Sequence, residues 1–333
     1  MLEETVSTGF VLGLLDYAVA RGGDRDALLN ASSIDAALLS DRDARLPLQR
    51  YVALMHAAKA ASGDPALALN FGQAVDVANI SIVGLIGQAS MTMLEAFEQL
   101  NRYVRLIVDV ELTAEDRFAF KRDAQGLWLT DLRANPNAFP ELTESAFSHI
   151  IAGPRQAGVP EWVKEVRVTH AKPEHAAEYE RVFRAPVHFN SDRNAMRMEE
   201  GVVAHTLSIL PRYAFGVLTE HADALLRDLE ASATMRGRVD SLLLPILHKG
   251  EANMDAVADS MKISRQTLYR ALKYEGVTFE QVLDQLRHRL ALEYLRGKKT
   301  TVNETAYLVG FSDPASFSRA FKRWTGKSPS EVR

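Results

Sequence analysis

Two short runs near the carboxyl end carry side chains suited to one chemistry. In the first, Gln266, Tyr269, Arg270 and Lys273 fall where a helix would turn them outward, with Arg265 beside them. In the second, Arg319 and Lys322 do the same, with Ser318 at the margin and Arg323 adjacent. Glutamine can make two hydrogen bonds to an adenine edge, arginine can fork onto guanine, and lysine neutralises phosphate. On exposed helix faces these residues would read and grip double-stranded DNA. The second run holds fewer base-reading groups, so it is expected to anchor more and discriminate less.

The elements that must position them are duplicated. Ala258, Met261, Ile263 and Ser264 recur 48 positions on as Ala306, Val309, Phe311 and Ser312. After one inserted residue, Leu268-Tyr-Arg-Ala-Leu-Lys273 recurs 49 positions on as Phe317-Ser-Arg-Ala-Phe-Lys322. Each copy reads as a short helix, a tight turn and a second helix. That is the helix-turn-helix layout, whose second helix lies in the DNA major groove. Ser264 is placed to cap the second helix of the first copy, and Leu268, Ala271 and Leu272 share its inward face. Phe317, Ala320, Phe321 and Trp324 do so in the second copy, where Pro314 suits the first helical turn. Between the copies, Phe279 to Arg296 predicts a helix of 18 residues. At ~1.5 Å per residue it would run about 27 Å, near the roughly 34 Å between successive major-groove faces. One rigid helix could hold both readers on one side of a duplex.

A chain of 333 residues predicts two domains. Its charge is divided unevenly. Residues 235–333 hold 17 Lys+Arg against 11 Asp+Glu, whereas the remainder holds 22 against 32. A basic module joined to an acidic one implies that only the former meets a polyanion. There are no cysteines, which excludes disulfides and thiolate metal sites and fits a reducing compartment. The chain opens on acidic residues, without the basic start of a secretory signal, and no apolar run approaches the roughly 20 residues needed to span a bilayer. The expected location is the cytoplasm, with no membrane partner.

The front part predicts helices at 5–21, 47–61 and 93–108, then strands around Val108-Val110-Leu112, Phe118-Phe120 and Leu127-Leu129, with a turn at 123–126. A helix at 141–157, a strand at 163–169, a helix at 174–183 and an edge strand near 187–189 follow. Phe215, Leu218, Ala222, Leu225 and Leu229 on a helix at 211–230 have the spacing of a coiled-coil seam, here read as packing on its own domain. Residues 231–237 form the candidate linker. The expected fold is an α+β domain over 1–230, followed by an all-α domain over 235–333 with two helix-turn-helix units joined by a long helix.

Residues 238–333 resemble the DNA-binding domain of the AraC/XylS family of bacterial transcription regulators. The run Gly310-Phe-Ser-Asp-Pro-Ala-Ser-Phe-Ser-Arg-Ala-Phe-Lys-Arg-Trp-Thr-Gly-Lys-Ser-Pro329 carries the likeness most clearly. Ile263-Ser-Arg-Gln-Thr-Leu-Tyr-Arg-Ala-Leu-Lys273 matches more loosely, with Leu272 where an aromatic is common. The resemblance implies that each monomer binds DNA through both units, often as a homodimer at direct repeats near promoters. It assigns first-helix contacts to Gln266, Tyr269 and Arg270, and a second-helix contact to Arg319. Asn70-Phe-Gly72 and Ile82-Val-Gly-Leu-Ile86 resemble the helical-plus-sheet effector domain of one branch of that family. This implies a small-molecule effector in the front domain, without naming one.

A ligand pocket there needs apolar walls and a few polar groups. Tyr103, Phe120, Trp128 and His149 are the candidate lining residues. No catalytic constellation, cofactor motif or metal-ligand spacing stands out. Gly326-Lys327-Ser328 lacks the upstream glycine of a phosphate loop, since Phe321 holds that position. His170 and His175 flank a proline, at a spacing that suits no helical metal pair. The sequence therefore reads as a ligand-responsive, sequence-specific DNA-binding regulator rather than an enzyme. Two alternatives stay open: a constitutive DNA-binding protein whose front domain only dimerises, and an enzyme domain tethered to DNA.

Overall fold

The computed structural model describes residues 4–159, 161–207, 210–250, 252–296 and 300–332. The chain divides into two compact units, Met1–Leu226 and Arg227–Arg333.

The first unit opens on a strand where the sequence predicted helix. β1 (Thr5–Ser7) pairs antiparallel with β2 (Arg45–Pro47) and β3 (Val108–Asp109), giving the order β2-β1-β3. Thr, Val and Ser favour extended backbone, and Val6 gains complete burial there. Ser7 then accepts from the Phe10 N–H at 3.3 Å and starts α1 (Thr8–Val19). Five helices follow in this part of the unit: α2 (Arg25–Ala31), α3 (Leu48–Ser62), α4 (Leu67–Ala74), α5 (Ile82–Ala89) and α6 (Met93–Ile107). Their inward residues, among them Leu14, Tyr51, Leu54, Phe71 and Ile86, form one apolar core. Of these five, α2, α4 and α5 have too few residues to show a helical period in the sequence.

The second layer is a five-stranded sheet. β4 (Phe118–Asp123) and β5 (Gly126–Asp131) make the expected hairpin, with Phe120 opposite Leu129. α7 (Glu141–Gln156) precedes β6 (Val163–Arg167), and α8 (Ala176–Phe183) precedes β7 (Val187–His188), which pairs parallel to β6 at one edge. The central strand is one the sequence did not predict, β8 (Asn194–Met198), bonded to both β5 and β6 in the order β4-β5-β8-β6-β7. Methionine and alanine are weak strand formers, so β8 owes its place to burial of Ala195, Met196 and Met198. A second core, including Phe97, Phe118, Leu129, Phe147 and Trp162, lies against this sheet.

α9 (Arg212–Ala233) packs Phe215, Leu218, Ala222 and Leu226 against the first core. The seam therefore continues through Leu226 rather than Leu225, a 3-4-4 spacing that follows a straight helix instead of a supercoil. Residues 231–237 are helical on both sides of Thr234, whose hydroxyl caps α10 (Met235–Leu243). Gly237 permits the tight bend, because a β-carbon there would lie 1.5 Å from the Ala231 carbonyl oxygen.

The second unit is helical: α10, then α11 (Met254–Ser260), α12 (Arg265–Tyr274), α13 (Phe279–Arg296), α14 (Val302–Leu308), α15 (Pro314–Thr325) and α16 (Pro329–Val332). Val239, Leu268, Leu272, Val282, Leu286, Leu295, Phe317 and Phe321 meet in its core. Among the described residues no helix is long and apolar enough to cross a membrane.

Candidate nucleic-acid interface and ligand cavity

The repeated sequence folds into a repeated turn. After α11, the N–H groups of Met261, Lys262 and Ile263 donate to the carbonyls of Val257, Asp259 and Ala258 at 3.0, 3.0 and 3.1 Å. After α14, those of Val309, Gly310 and Phe311 donate to Thr305, Tyr307 and Ala306 at 3.0 Å each. Lys262 (φ 55°) and Gly310 (φ 78°) hold the same left-handed position in the two copies. Ile263 and Phe311 then pack on the core from the turn, and a cap begins each second helix. Ser264 Oγ accepts from the Thr267 N–H at 3.1 Å, and Asp313 Oδ1 from the Ser316 N–H at 2.8 Å. The one inserted residue in the second copy moves the cap from serine to the aspartate that follows Ser312. Hydrogen bonds from Ser316 hold the Asp313 carboxyl below its usual range, so it is a charged cap at a helix N-terminus.

With the inner faces buried, the outer faces are fixed. Gln266, Tyr269, Arg270 and Lys273 are exposed on α12, and Arg319 and Lys322 on α15. Arg265 is exposed and pairs with Asp255 at 2.7 Å. Arg323 pairs with Asp284 of α13 at 2.7 Å. Ser318 is half-buried and its hydroxyl donates to the Pro314 carbonyl at 2.9 Å, which occupies its hydrogen. Arg319 donates to Ser316 Oγ at 2.8 Å. Exposed ion pairs of this sort are worth roughly 0–1 kcal/mol, so a phosphate can replace Asp255 or Asp284 at little cost.

Three residues outside the sequence-assigned contacts brace these helices. Arg287 of α13 donates to the carbonyls of Val309 (3.2 Å) and Gly310 (3.1 Å) and lies over the Phe311 ring at 4.7 Å, tying the long helix to the second turn. Gly310 sits where a β-carbon would lie 2.3 Å from the Leu247 carbonyl oxygen. Glu275, just after α12, accepts from the N–H groups of Met235 (2.6 Å) and Arg236 (2.9 Å) at the start of α10. The polar partner in each case is backbone, which no sequence pattern displays.

A family model described as the arabinose-binding domain of AraC transcription regulators, N-terminal, matches residues 22–207. Another, described as a helix-turn-helix domain, matches residues 257–333. The chain belongs to the AraC family of DNA-binding transcription regulators. This AraC-family chain is 29% identical to the ornithine utilization regulator of Pseudomonas aeruginosa over 339 residues, covering 99% of this chain and 96% of that protein. It is 22% identical to the transcriptional regulator VirS of Mycobacterium tuberculosis, covering 96% and 94%. The transcriptional activator RhaS of Escherichia coli is 42% identical over 84 residues, 25% of this chain and 30% of that one. The crystal structure of the transcriptional regulator CdpR from Pseudomonas aeruginosa aligns with a TM-score of 0.40 at 21% identity, covering 92% and 95%.

The first unit of this AraC-family chain, the arabinose-binding type of effector domain, holds a cavity of about 400 Å³. Its wall is largely apolar, with Val83, Phe97, Leu100, Val104, Ile107 and Ile150, and it is interrupted by Asp76, Gln88, Arg117, Ser145, His149 and Gln156. Asp76 accepts from the Ala78 N–H and from Gln88 Nε2, both at 2.9 Å. His149 Nδ1 lies 2.7 Å from the Ser145 carbonyl, which can only accept, so Nδ1 carries the proton. Burial holds the ring's pKa down to about 4, leaving it neutral near pH 7. Phe71 meets it edge-on at 5.1 Å.

Of the four sequence candidates for the pocket, only His149 is on the cavity wall. Tyr103 is fully buried and its hydroxyl donates to Asp223 of α9 at 2.6 Å. Phe120 packs edge-on against Phe97 at 5.2 Å, one layer behind the wall. Trp128 lies between the guanidiniums of Arg167 and Arg193, each 4.6 Å from its ring, and its Nε1 donates to Asp123. Strand alternation accounts for Trp128: its neighbours Leu127 and Leu129 pack into the second core, so its ring faces the other side of the sheet. Arg117, outside the four sequence candidates, lines the cavity. Among the described residues no cluster of three or more His, Asp or Glu is arranged to hold a metal ion.

Proposed function

We propose that the second unit reads two successive major-groove segments of promoter DNA, α12 supplying base recognition and α15 mainly anchoring. In this reading Gln266 and Arg270 contact base edges. Arg265, Tyr269 and Lys273 grip the flanking backbone. On α15, Arg319 contacts bases or phosphate, Lys322 and Arg323 contact phosphate, and Ser318 sits at the rim. The observation that carries the proposal is the duplicated turn, which presents two exposed basic faces on helices that precede and follow α13 in the chain. That helix of 18 residues spans about 27 Å at ~1.5 Å per residue, close to one groove repeat.

The first unit is proposed to bind a small-molecule effector in its cavity, with His149 among the contacts, and to act as a regulatory rather than catalytic domain. An effector that binds one state of this unit better than another shifts the population and with it DNA occupancy or homodimer formation. A homodimer working in the cytoplasm belongs to the same proposal, and sedimentation with and without DNA tests the assembly. The primary experiment recovers genomic DNA bound by the purified full chain at near-physiological salt. The expected result is a recurring motif of two blocks about one helical turn apart, with affinity falling steeply as salt rises. Recovery without any motif, unchanged by salt, would overturn the double-reader assignment.

A further inference from the structure

Two residues that line the cavity each hold a buried polar atom without a partner, and the two atoms want opposite things. Arg117 is 3% exposed; its Nε donates to Asp131 Oδ1 at 3.3 Å, while Nη2 meets no acceptor among the described residues. His149 has committed Nδ1 to the Ser145 carbonyl, which leaves Nε2 as a buried acceptor with no donor. A buried donor or acceptor left unmet is costly, so a ligand that satisfies both gains at both ends.

Charge sharpens the requirement. Asp131 is a fully buried side chain flanked by Arg117 at 3.3 Å and Arg133 at 3.4 Å. Arg133 also donates to the carbonyls of Pro136 and Phe139 and to the Thr143 hydroxyl. Glu4 also acts on Arg133, and Asp76 is a carboxylate on the cavity wall whose oxygens already accept from the Ala78 N–H and Gln88. The unmet N–H belongs to Arg117, which carries the one guanidinium among the described lining residues. A carboxylate on that N–H makes a charge-assisted hydrogen bond, a neutral alcohol makes a weaker one, and an ammonium has no lone pair with which to accept.

We infer that the effector is a small carboxylic acid with an apolar body, its carboxylate on Arg117 and an O–H or N–H group donating to His149 Nε2. This rests on reading the first unit as an effector domain and adds the ligand's chemical class. Arg117 and His149 are its specificity-determining residues.

The test uses the purified full-length chain, thermal shift and calorimetry, and four chain-matched probes: octanoate, 3-hydroxyoctanoate, 1-octanol and octylamine. Both acids are expected to bind and raise the melting temperature, the hydroxy acid more tightly, whereas the alcohol and amine bind weakly or not at all. Arg117→Met should weaken both acids on the order of 10- to 100-fold. His149→Phe should remove only the advantage of the hydroxyl, since Phe10 and Phe71 already surround that ring at 5.8 and 5.1 Å. Because Arg117→Met also frees one side of Asp131, Gly87→Leu serves as a second block. Gly87 lines the cavity and a β-carbon there meets nothing within 4 Å, so this variant fills the space without touching the buried ions.

Alcohol or amine binding as tightly as the acids would overturn the carboxylate assignment and leave the effector reading standing. If none of the four binds, metabolite-sized compounds in matched anionic, neutral and cationic sets are screened in the same way. Shifts from carboxylates that Gly87→Leu abolishes support the inference, and shifts from neutral or cationic compounds alone overturn it. No shift from any set removes the effector reading itself.

Discussion

Gly310 and Lys262 stand at equivalent points of one duplicated turn, and exchanging their chemistry should move stability in opposite directions. In Gly310→Ala the added β-carbon adopts a left-handed backbone at φ 78°, which costs an L-residue roughly 1–2 kcal/mol. It also lies 2.3 Å from the Leu247 carbonyl oxygen, a backbone atom that cannot swing aside. Overpacking of this kind adds about 1–3 kcal/mol. The combined loss is about 2–5 kcal/mol for the DNA-binding unit. Lys262 already carries the left-handed strain at φ 55° and its side chain is exposed. Lys262→Gly relieves that strain, while glycine's freedom in the unfolded chain takes back about 0.4–1 kcal/mol. The net change is a gain between zero and about 1.6 kcal/mol. Urea unfolding of the full chain, with hydrogen exchange followed on peptides covering α11–α12 and α14–α15, resolves both changes. A loss below about 0.5 kcal/mol in Gly310→Ala would refute the reasoning, because it would mean that the turn can open away from Leu247. Destabilisation by Lys262→Gly on that scale would refute the equivalence of the two turns.

Further outcomes are expected in DNA binding, in the bracing of the second turn and in pH dependence. Arg270→Ala should cost about 1–3 kcal/mol on a specific site and relax preference at one base position. Lys322→Ala should weaken all sequences alike and flatten the salt slope by about one unit. Anisotropy titrations on specific and random duplexes across salt separate them, and equal losses from both variants would remove the division of roles. Arg287→Met should destabilise the second turn by about 1–3 kcal/mol by leaving two carbonyls unmet, and Arg287→Lys should not restore it, since an ammonium cannot fork and stack as a guanidinium does; full rescue by lysine in an unfolding titration would contradict this. Burial raises the Glu144 carboxyl to about 7. A carboxyl that stays protonated in the fold stabilises it fully below the unfolded pKa near 4.5 and loses that contribution as pH rises towards 7, about 3 kcal/mol in all. His149, held down to about 4, works the other way, losing its contribution as pH falls from about 6.5 towards 4. The stability difference between wild type and Glu144→Gln isolates the first effect, and it should shift in the variant's favour between pH 4.5 and 7. A difference that is flat over this range would show that Glu144 is ionised in the fold.

The DNA-binding half was legible in the sequence because its signals are local. A buried stripe at helical spacing fixes which side of α12 and α15 faces out, so exposure of Gln266, Arg270, Arg319 and Lys322 follows from burial of Leu268, Leu272, Phe317 and Phe321. The duplication doubled that signal. The bracing of the same half was not legible, because Arg287 and Glu275 bond to backbone carbonyls and N–H groups more than twenty positions away. In the front half the balance reverses. The β4–β5 hairpin announces itself, but β8 sits between β5 and β6 through pairings of long sequence separation, and its Ala and Met residues carry little strand preference.

The cavity shows the limit most clearly. Tyr103, Phe120 and Trp128 have the aromatic bulk of a pocket wall, yet bulk is also what fills a core; each is used up by Asp223, by Phe97 or by Arg167 and Arg193. A ligand site needs groups that folding leaves unmet, which is a property of the residues around a side chain rather than of its type. One trace did exist in the sequence: Asp131 and Arg133 continue the alternating phase of Leu127 and Leu129, carrying charge along the face that the apolar residues bury. Charges at inward positions must be answered by other buried charges. Following that requirement leads from Asp131 to Arg117, and so to a cavity-lining residue with a donor that folding leaves unmet.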